Sequence, residues 1–155
     1  MIEFIFQDWI PPLKVISHGL PRAQARIVGG VEAEPHKHGY QSAVIRGRYF
    51  ICGGAVISEY FVLTAGHCVK SRRGRYSVLL GSHNLKTAEE SRQIIAVDEV
   101  HVHPDFDLDD TIVLDIAVLQ LKTKIKMNEK VFPLNLPENN VYHGMPLVIT
   151  GWGVT

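Results

Sequence analysis

At 155 residues, with 16 lysines and arginines balanced by 16 aspartates and glutamates, the chain has the size of one ordinary domain and no net charge. That balance leaves no electrostatic footprint for nucleic acid or an anionic membrane. A hydrophobic fraction of 46% is enough for a packed core, and no stretch reaches the roughly 18 apolar residues of a transmembrane helix.

The first 26 residues differ from the rest. Met1-Ile2-Glu3-Phe4-Ile5-Phe6 is briefly apolar, but it lacks a basic start and Gln7-Asp8 interrupts it, which is not the pattern of a secretory signal. Pro11-Pro12, His18-Gly19 and Pro21 discourage regular structure. This segment reads as a mobile leader or pro-region. Gln24-Ala25-Arg26-Ile27-Val28-Gly29-Gly30 then has the composition of a linker open to proteolysis, and a new domain begins at Ile27.

From Ile27 the chain is a series of short β-rich runs parted by turn residues. Gly39 to Ile45 is the first, and Tyr49-Phe50-Ile51-Cys52 follows the hairpin-like turn Arg46-Gly47-Arg48. Gly53-Gly54 interrupts the pattern and signals a bulge or a close backbone approach. Ala55 to Ser58, Phe61 to Thr64, Tyr76 to Leu80, Gln93 to Val97, Val100 to His103 and Ile116 to Leu121 continue the series. No helix of normal length and no βαβ alternation is present, so the expected class is an all-β barrel or sandwich.

Five polar features carry possible chemistry. Val62-Leu63-Thr64-Ala65-Gly66-His67-Cys68 ends a β-rich run on a histidine beside a cysteine; His67 is either a surface residue at a strand end or a base that must be held rigidly. Cys52 and Cys68 are either two unrelated thiols or a bridge, and a bridge closing a loop of about 15 residues contributes about 3 kcal/mol. No second CxxC and no HxxxH stands at a spacing suited to zinc. His36-x-His38 and His101-x-His103 place imidazoles on one face only if those stretches are extended, and no third ligand accompanies them. Asp105 to Asp110 resembles a calcium loop, but Asp110 stands where glycine and Ile116 where glutamate is needed, so an acidic solvated turn is the better reading. Asp115 opens an apolar strand between Leu114 and Ile116. A carboxylate so placed is either a strand-end cap or a buried group that must be paired.

Taken together, the chain resembles the chymotrypsin/trypsin family of serine proteases. Arg26-Ile27-Val28-Gly29-Gly30 resembles its activation cleavage site. Cys52-Gly53-Gly54-Ala55-Val56-Ile57-Ser58 and Leu63-Thr64-Ala65-Gly66-His67-Cys68 resemble the segments presenting its catalytic histidine. Leu114-Asp115-Ile116-Ala117-Val118-Leu119 resembles the segment with its aspartate, and Thr150-Gly151-Trp152-Gly153 the first strand of its second barrel. The four occur in the family's order. The resemblance implies a six-stranded antiparallel barrel over residues 27–131, followed by a connector and the first strand of a second barrel over 132–155. It implies His67 as general base and then acid, with Asp115 orienting it. It further implies a disulfide between Cys52 and Cys68, cleavage after Arg26 by a trypsin-like activator, polypeptide substrates, secretion, no cofactor and no resident metal.

The departures are specific. Gly66 stands where the family usually has alanine, a change expected to be tolerated. In Gly81 to Gln93, which resembles the family's calcium loop, Ser82 and Arg92 replace two carboxylates and leave Glu89, so no calcium site is expected. Leu147 stands where many relatives have cysteine. The family places its serine in Gly-Asp-Ser-Gly-Gly downstream of Gly-Trp-Gly, and Ser17, Ser42, Ser58, Ser71, Ser77, Ser82 and Ser91 match no part of that stretch. The expectation is therefore the N-terminal part of a protease, truncated before its nucleophile, inactive alone, and with a Leu147-to-Thr150 strand that lacks partners within its own barrel. The alternative is a non-catalytic homologue acting as a binding or regulatory module.

Overall fold

The structure, a computed structural model, describes residues 1–6, 30–69, 75–107, 114–138, 142 and 144–153. They sort into two compact units, Pro35–Leu136 and Met1–Glu34 together with Pro137–Thr155.

The larger unit is a closed antiparallel barrel. Its strands are β3 (Gln41–Arg46), β4 (Tyr49–Val56), β5 (Phe61–Thr64), β6 (Tyr76–Leu80), β7 (Gln93–Val102) and β8 (Ala117–Leu121), and they close in the order β3-β4-β5-β8-β7-β6. The six-stranded all-β barrel expected from the sequence is therefore what forms. Alternation decides which side chains enter. Val62 and Thr64 of β5 are buried while Phe61 and Leu63 are half-buried, and Ala117, Leu119 and Leu121 of β8 point inward. Val62 stands opposite Leu119. Together with Val44, Val56, Val78, Leu80, Ile95, Ile125 and Val131, these residues make one core. Burying branched side chains from facing strands is the main term holding such a barrel closed.

Two details differ from the sequence reading. Gly53 and Gly54 do not break the strand: β4 runs through them, and the register shift against β3 falls instead where Val44 pairs Cys52 and Ile45 pairs Phe50, leaving Ile51 as the extra residue. Gly54 is the close approach. A Cβ there would lie 2.8 Å from Ser42 Oγ and 2.9 Å from the Leu63 carbonyl. Likewise the runs on either side of Asp98 are one strand, β7, with a shift against β8 between Val97 and Glu99.

The smaller unit is a three-stranded sheet in the order β2 (Val31–Glu32), β1 (Ile2–Phe6), β9 (Leu147–Gly151). One expectation is corrected: Ile2 to Phe6 lie in a strand, although the leader was read as a mobile segment. Leu147 to Gly151 pair antiparallel with it from Ile2↔Gly151 to Phe6↔Leu147, a partner from the leader and not from the strand's own barrel. An apolar strand edge binds whatever extended apolar segment can supply its hydrogen bonds. Among the described residues no helix is long and apolar enough to cross a membrane.

Candidate active site

His67 is positioned from the end of β5. Thr64 Oγ1 donates to the Gly53 carbonyl at 2.8 Å, tying β5 to β4. The chain then makes a single 3-10 turn, Gly66–Cys68, in which Cys68 N–H donates to Ala65 O and Val69 N–H to Gly66 O. Val69 is fully buried and anchors the turn. Cys68 is joined to Cys52 of β4 with their Cα atoms 6.1 Å apart. The two cysteines are thus a bridge, and the bridge fastens the histidine turn to the barrel wall.

Asp115 comes from the other side, two residues before β8. Leu114 has φ 63°, a left-handed conformation unfavourable for a branched side chain, and Ile116 N–H closes a tight turn onto Leu114 O at 2.7 Å. Ile116 O in turn accepts from His103 N–H. This turn brings the carboxylate to His67 across 48 residues of sequence. Asp115 Oδ2 lies 2.6 Å from His67 Nδ1, and Oδ1 accepts the His67 backbone N–H at 2.8 Å. The side chain of Asp115 is 15% exposed and that of His67 54%. Desolvation pushes the Asp115 carboxyl upward, but the hydrogen bonds from the His67 ring and from the His67 and Gly66 amides, with the charge of the imidazole, outweigh it and hold it below its ordinary value. An ionised carboxylate at Nδ1 fixes the tautomer with the proton on Nδ1 and the lone pair on Nε2. Nε2 faces the disulfide, 3.4 Å from Cys68 Sγ and 4.0 Å from Cys52 Sγ.

The reason for Gly66 becomes visible here. A Cβ at that position would lie 2.9 Å from Phe106 Cδ1 and 3.2 Å from Asp115 Oδ1. Sequence reading noted the glycine but not its neighbour, because Phe106 lies in a distant loop. It also missed the two backbone amides on Asp115, which follow only from the path of the 3-10 turn.

The other candidate groups are dispersed. His36 has φ 62° and sits outside any strand, with Nε2 3.3 Å from Glu89 Oε2. His38 is buried, with Nδ1 3.4 Å from the Tyr40 hydroxyl. His101 lies on β7 near Glu99, and His103 beyond its end accepts the Asp105 N–H on Nδ1. Neither histidine pair shares an extended strand face. In the loop from Gly81 to Gln93, Arg92 Nε donates to Ser82 Oγ at 2.8 Å while Nη2 donates to the carbonyls of Asn84 and Leu85 at 3.1 Å. Glu89 accepts the amides of His83 and Asn84. The guanidinium thus ties Ser82 to the Asn84 and Leu85 carbonyls across the loop. Among the described residues, Cys52, His67 and Cys68 are the group whose potential ligand atoms converge, all within 4.8 Å of one another. Sulfurs joined in a disulfide are not thiolates and do not fit a metal. A surface cleft of about 560 Å³ is lined by Glu90, Ser91, Asn128, Glu129 and Lys130, none of which belongs to the His67 site. The Arg26–Ile27 junction lies outside the described residues.

Known proteins define first a class and then a family. The fold is that of a solved serine protease: neuropsin of mouse brain superposes with a TM-score of 0.63 at 33% identity, over 70% of this chain and 47% of that one. The model of the Trypsin family matches residues 27–155. Among curated proteins, duodenase-1 of Bos taurus is 40% identical over 133 residues, 83% of this chain and 51% of the relative. Granzyme B of Rattus norvegicus is 42% identical over 140 residues, 86% of this chain and 55% of the relative. The chain spans about half the length of the curated relatives it matches. It belongs to the trypsin family.

Proposed function

We propose that residues 27–155 are the histidine- and aspartate-bearing part of a secreted trypsin-like serine endopeptidase that cleaves polypeptides. His67 Nε2 removes the proton from the attacking hydroxyl and returns it to the leaving amine, while Asp115 keeps the ring oriented and stabilises its charged form. The observation that carries this reading is the 2.6 Å contact between Asp115 Oδ2 and His67 Nδ1, in a chain of this family whose His67 side chain is 54% exposed. A binding module needs no such pair. Cleavage between Arg26 and Ile27 by a trypsin-like protease activates the protein, and the Cys52–Cys68 bridge suits an oxidising, extracellular setting. The nucleophile, the oxyanion-hole amides and the specificity pocket come from a segment with the Gly-Asp-Ser-Gly-Gly pattern, which none of the seven serines here matches. The 155-residue polypeptide by itself is accordingly inactive.

The test joins residues 27–155 to the C-terminal half of a full-length relative such as duodenase-1. The chimera is expected to hydrolyse a peptide ester and to be blocked by a serine-directed phosphonate, whereas the 155-residue chain alone does neither. A folded chimera with no turnover, or turnover unchanged in His67→Ala, overturns the reading.

A further inference from the structure

The equal numbers of acidic and basic residues conceal a division. From Pro35 to Ala88 there are eight lysines and arginines and a single carboxylate, Glu59, whereas from Glu89 to Leu136 there are five and ten. Glu59 is itself paired with Lys124 at 2.7 Å. The basic stretch builds β3 to β6, and β3 lies between β6 and β4. We infer that the tip of the β3–β4 hairpin, with Arg46, Arg48 and Arg75 around Tyr49, is a docking surface for an acidic segment of a polypeptide substrate. That the segment belongs to a substrate rests on the proteolytic function proposed above; that it docks does not.

The fold gathers the three arginines. β3 turns into β4 through two residues, Gly47-Arg48, with Gly47 at φ 63°, the left-handed conformation that glycine takes without steric cost. Arg46 stands opposite Tyr49 across the hairpin end and, on its other side, opposite Tyr76 of β6. Arg75, the residue before Tyr76, therefore lies one strand over from the turn, a backbone spacing of about 4.8 Å. All three arginines are exposed, as are Tyr49 at 78% and Phe50 at 41%. Among the described residues none of the three makes an ion pair. The nearest carboxylate by register is Asp98 of β7, two residues beyond the Ser77↔Ala96 pair, and it pairs with none of them. Crowded like charges without a counter-ion repel, and an anion seated among them relieves that repulsion.

Chemistry then selects the partner. A guanidinium presents a planar fork that takes a carboxylate through two parallel hydrogen bonds. Tyr49 adds an apolar ring with a polar tip, a side chain enriched where proteins meet polypeptides. Acidic residues interleaved with apolar ones use both, whereas a sulfated polysaccharide meets the charges and leaves the ring idle. The location suits a substrate. β4 covers about 10 Å from Tyr49 to Cys52, and Cys52 is bridged to Cys68, the neighbour of His67. A peptide held at His67 reaches the hairpin tip with about three extended residues. Net charge could not announce this surface, because the carboxylates after Ala88 cancel the arginines in the sum.

The test is fluorescence anisotropy on the 155-residue chain at physiological ionic strength, with a labelled Glu-Leu-Glu-Phe-Glu peptide and its Gln-Leu-Gln-Phe-Gln counterpart. The glutamate peptide should bind at least about tenfold tighter, and the preference should vanish near ~1 M salt, where charges are screened within a few ångströms. Arg46→Gln/Arg48→Gln should weaken it about fivefold and Arg48→Gln alone, in the turn and outside the ladder, about twofold. Tyr49→Ser should weaken it about threefold. Lys126→Gln/Lys130→Gln removes the same charge from a segment whose Lys126 is bonded to Gln93, opposite Leu80 at the far end of β6, and should leave affinity unchanged. Equal binding of the two peptides overturns the inference, as does full affinity in the arginine variants or an equal loss in the lysine variant. So does tight binding of dextran sulfate by a chain that does not distinguish the peptides. No turnover is needed. A glutamate peptide that binds while the chimera is inactive fails the proteolytic reading alone, and an active chimera with no preference for glutamate fails the docking surface alone.

Discussion

Two carboxylates of the barrel, Asp115 and Glu89, each accept backbone amides and each face one imidazole. Glu89 takes the amides of His83 and Asn84 and stands 3.3 Å from His36 Nε2. Asp115 takes the His67 amide and stands 2.6 Å from His67 Nδ1. Both are held below their ordinary values, desolvation opposing and the amides and imidazoles prevailing. Even the backbone is alike: His36 has φ 62°, and Leu114 beside Asp115 has φ 63°. The difference is in the histidine. His36 is 17% exposed and packed into the loop, while His67 is 54% exposed. The pairing alone therefore makes a structural clasp. It becomes a device for moving protons only when the far ring nitrogen can meet a substrate.

Activity should separate the two pairs most sharply. In the chimera with a relative's C-terminal half, Asp115→Asn should lower turnover roughly 10⁴-fold, the size known for this substitution in the family's own triad. Glu89→Gln should leave turnover within a few-fold. Peptide-ester kinetics on the two variants decide it, and a large loss in the glutamine variant would erase the distinction between clasp and site.

The second contrast is the staple. The histidine turn is fastened by Cys52–Cys68, whereas the Glu89 loop is closed by hydrogen bonds from Arg92 and Ser91. Replacing both cysteines with alanine should lower unfolding free energy by about 3 kcal/mol. Urea denaturation at fixed pH measures it.

The third is acid. Both folded values lie below the ordinary 4.5 of Glu89 and 3.8 of Asp115. Their contribution to stability is therefore complete above those values and is lost as pH falls through the depressed ones. Glu89→Gln should cost about 2 kcal/mol at neutral pH and should flatten the loss of stability between neutral pH and strong acid. A glutamine variant with the parent's full acid sensitivity would assign that sensitivity elsewhere.

How much of this was legible follows from which contacts are local. Phe61 to Thr64 and Tyr76 to Leu80 were readable because a short branched run is bounded by turn residues on both sides. Gly53-Gly54 was half legible: the close approach it signalled is there, Gly54 admitting Ser42 and the Leu63 carbonyl from neighbouring strands, but the pair does not interrupt β4. Asp98-Glu99 misled, because a polar interruption on the exposed side of β7 is absorbed by a bulge. Ile2 to Phe6 carried too little pattern to announce a strand whose partner, Leu147 to Gly151, lies at the other end of the chain. His67 and Asp115 could be named from their motifs, but their meeting spans 48 positions and depends on the Leu114 turn. No periodicity encodes that turn.

The smallest expected effect concerns Gly66, the residue by which the histidine turn departs from its family. Restoring alanine by Gly66→Ala has two opposing terms. The methyl would stand 2.9 Å from Phe106 Cδ1 and 3.2 Å from Asp115 Oδ1, so the ring must shift, and crowding of this kind costs about 1 kcal/mol. Alanine also narrows the unfolded ensemble, a gain of about 0.4–1 kcal/mol where the backbone allows it. The net change in the parent should be a destabilisation under about 1 kcal/mol. In a Phe106→Ala background the crowding disappears and only the gain remains, so the same substitution should stabilise. A double-mutant cycle by urea denaturation reads this reversal as a coupling between residues 66 and 106. Additive effects would show that the glycine answers to the Asp115 carboxylate instead, and the cycle should then be repeated with Asp115→Asn.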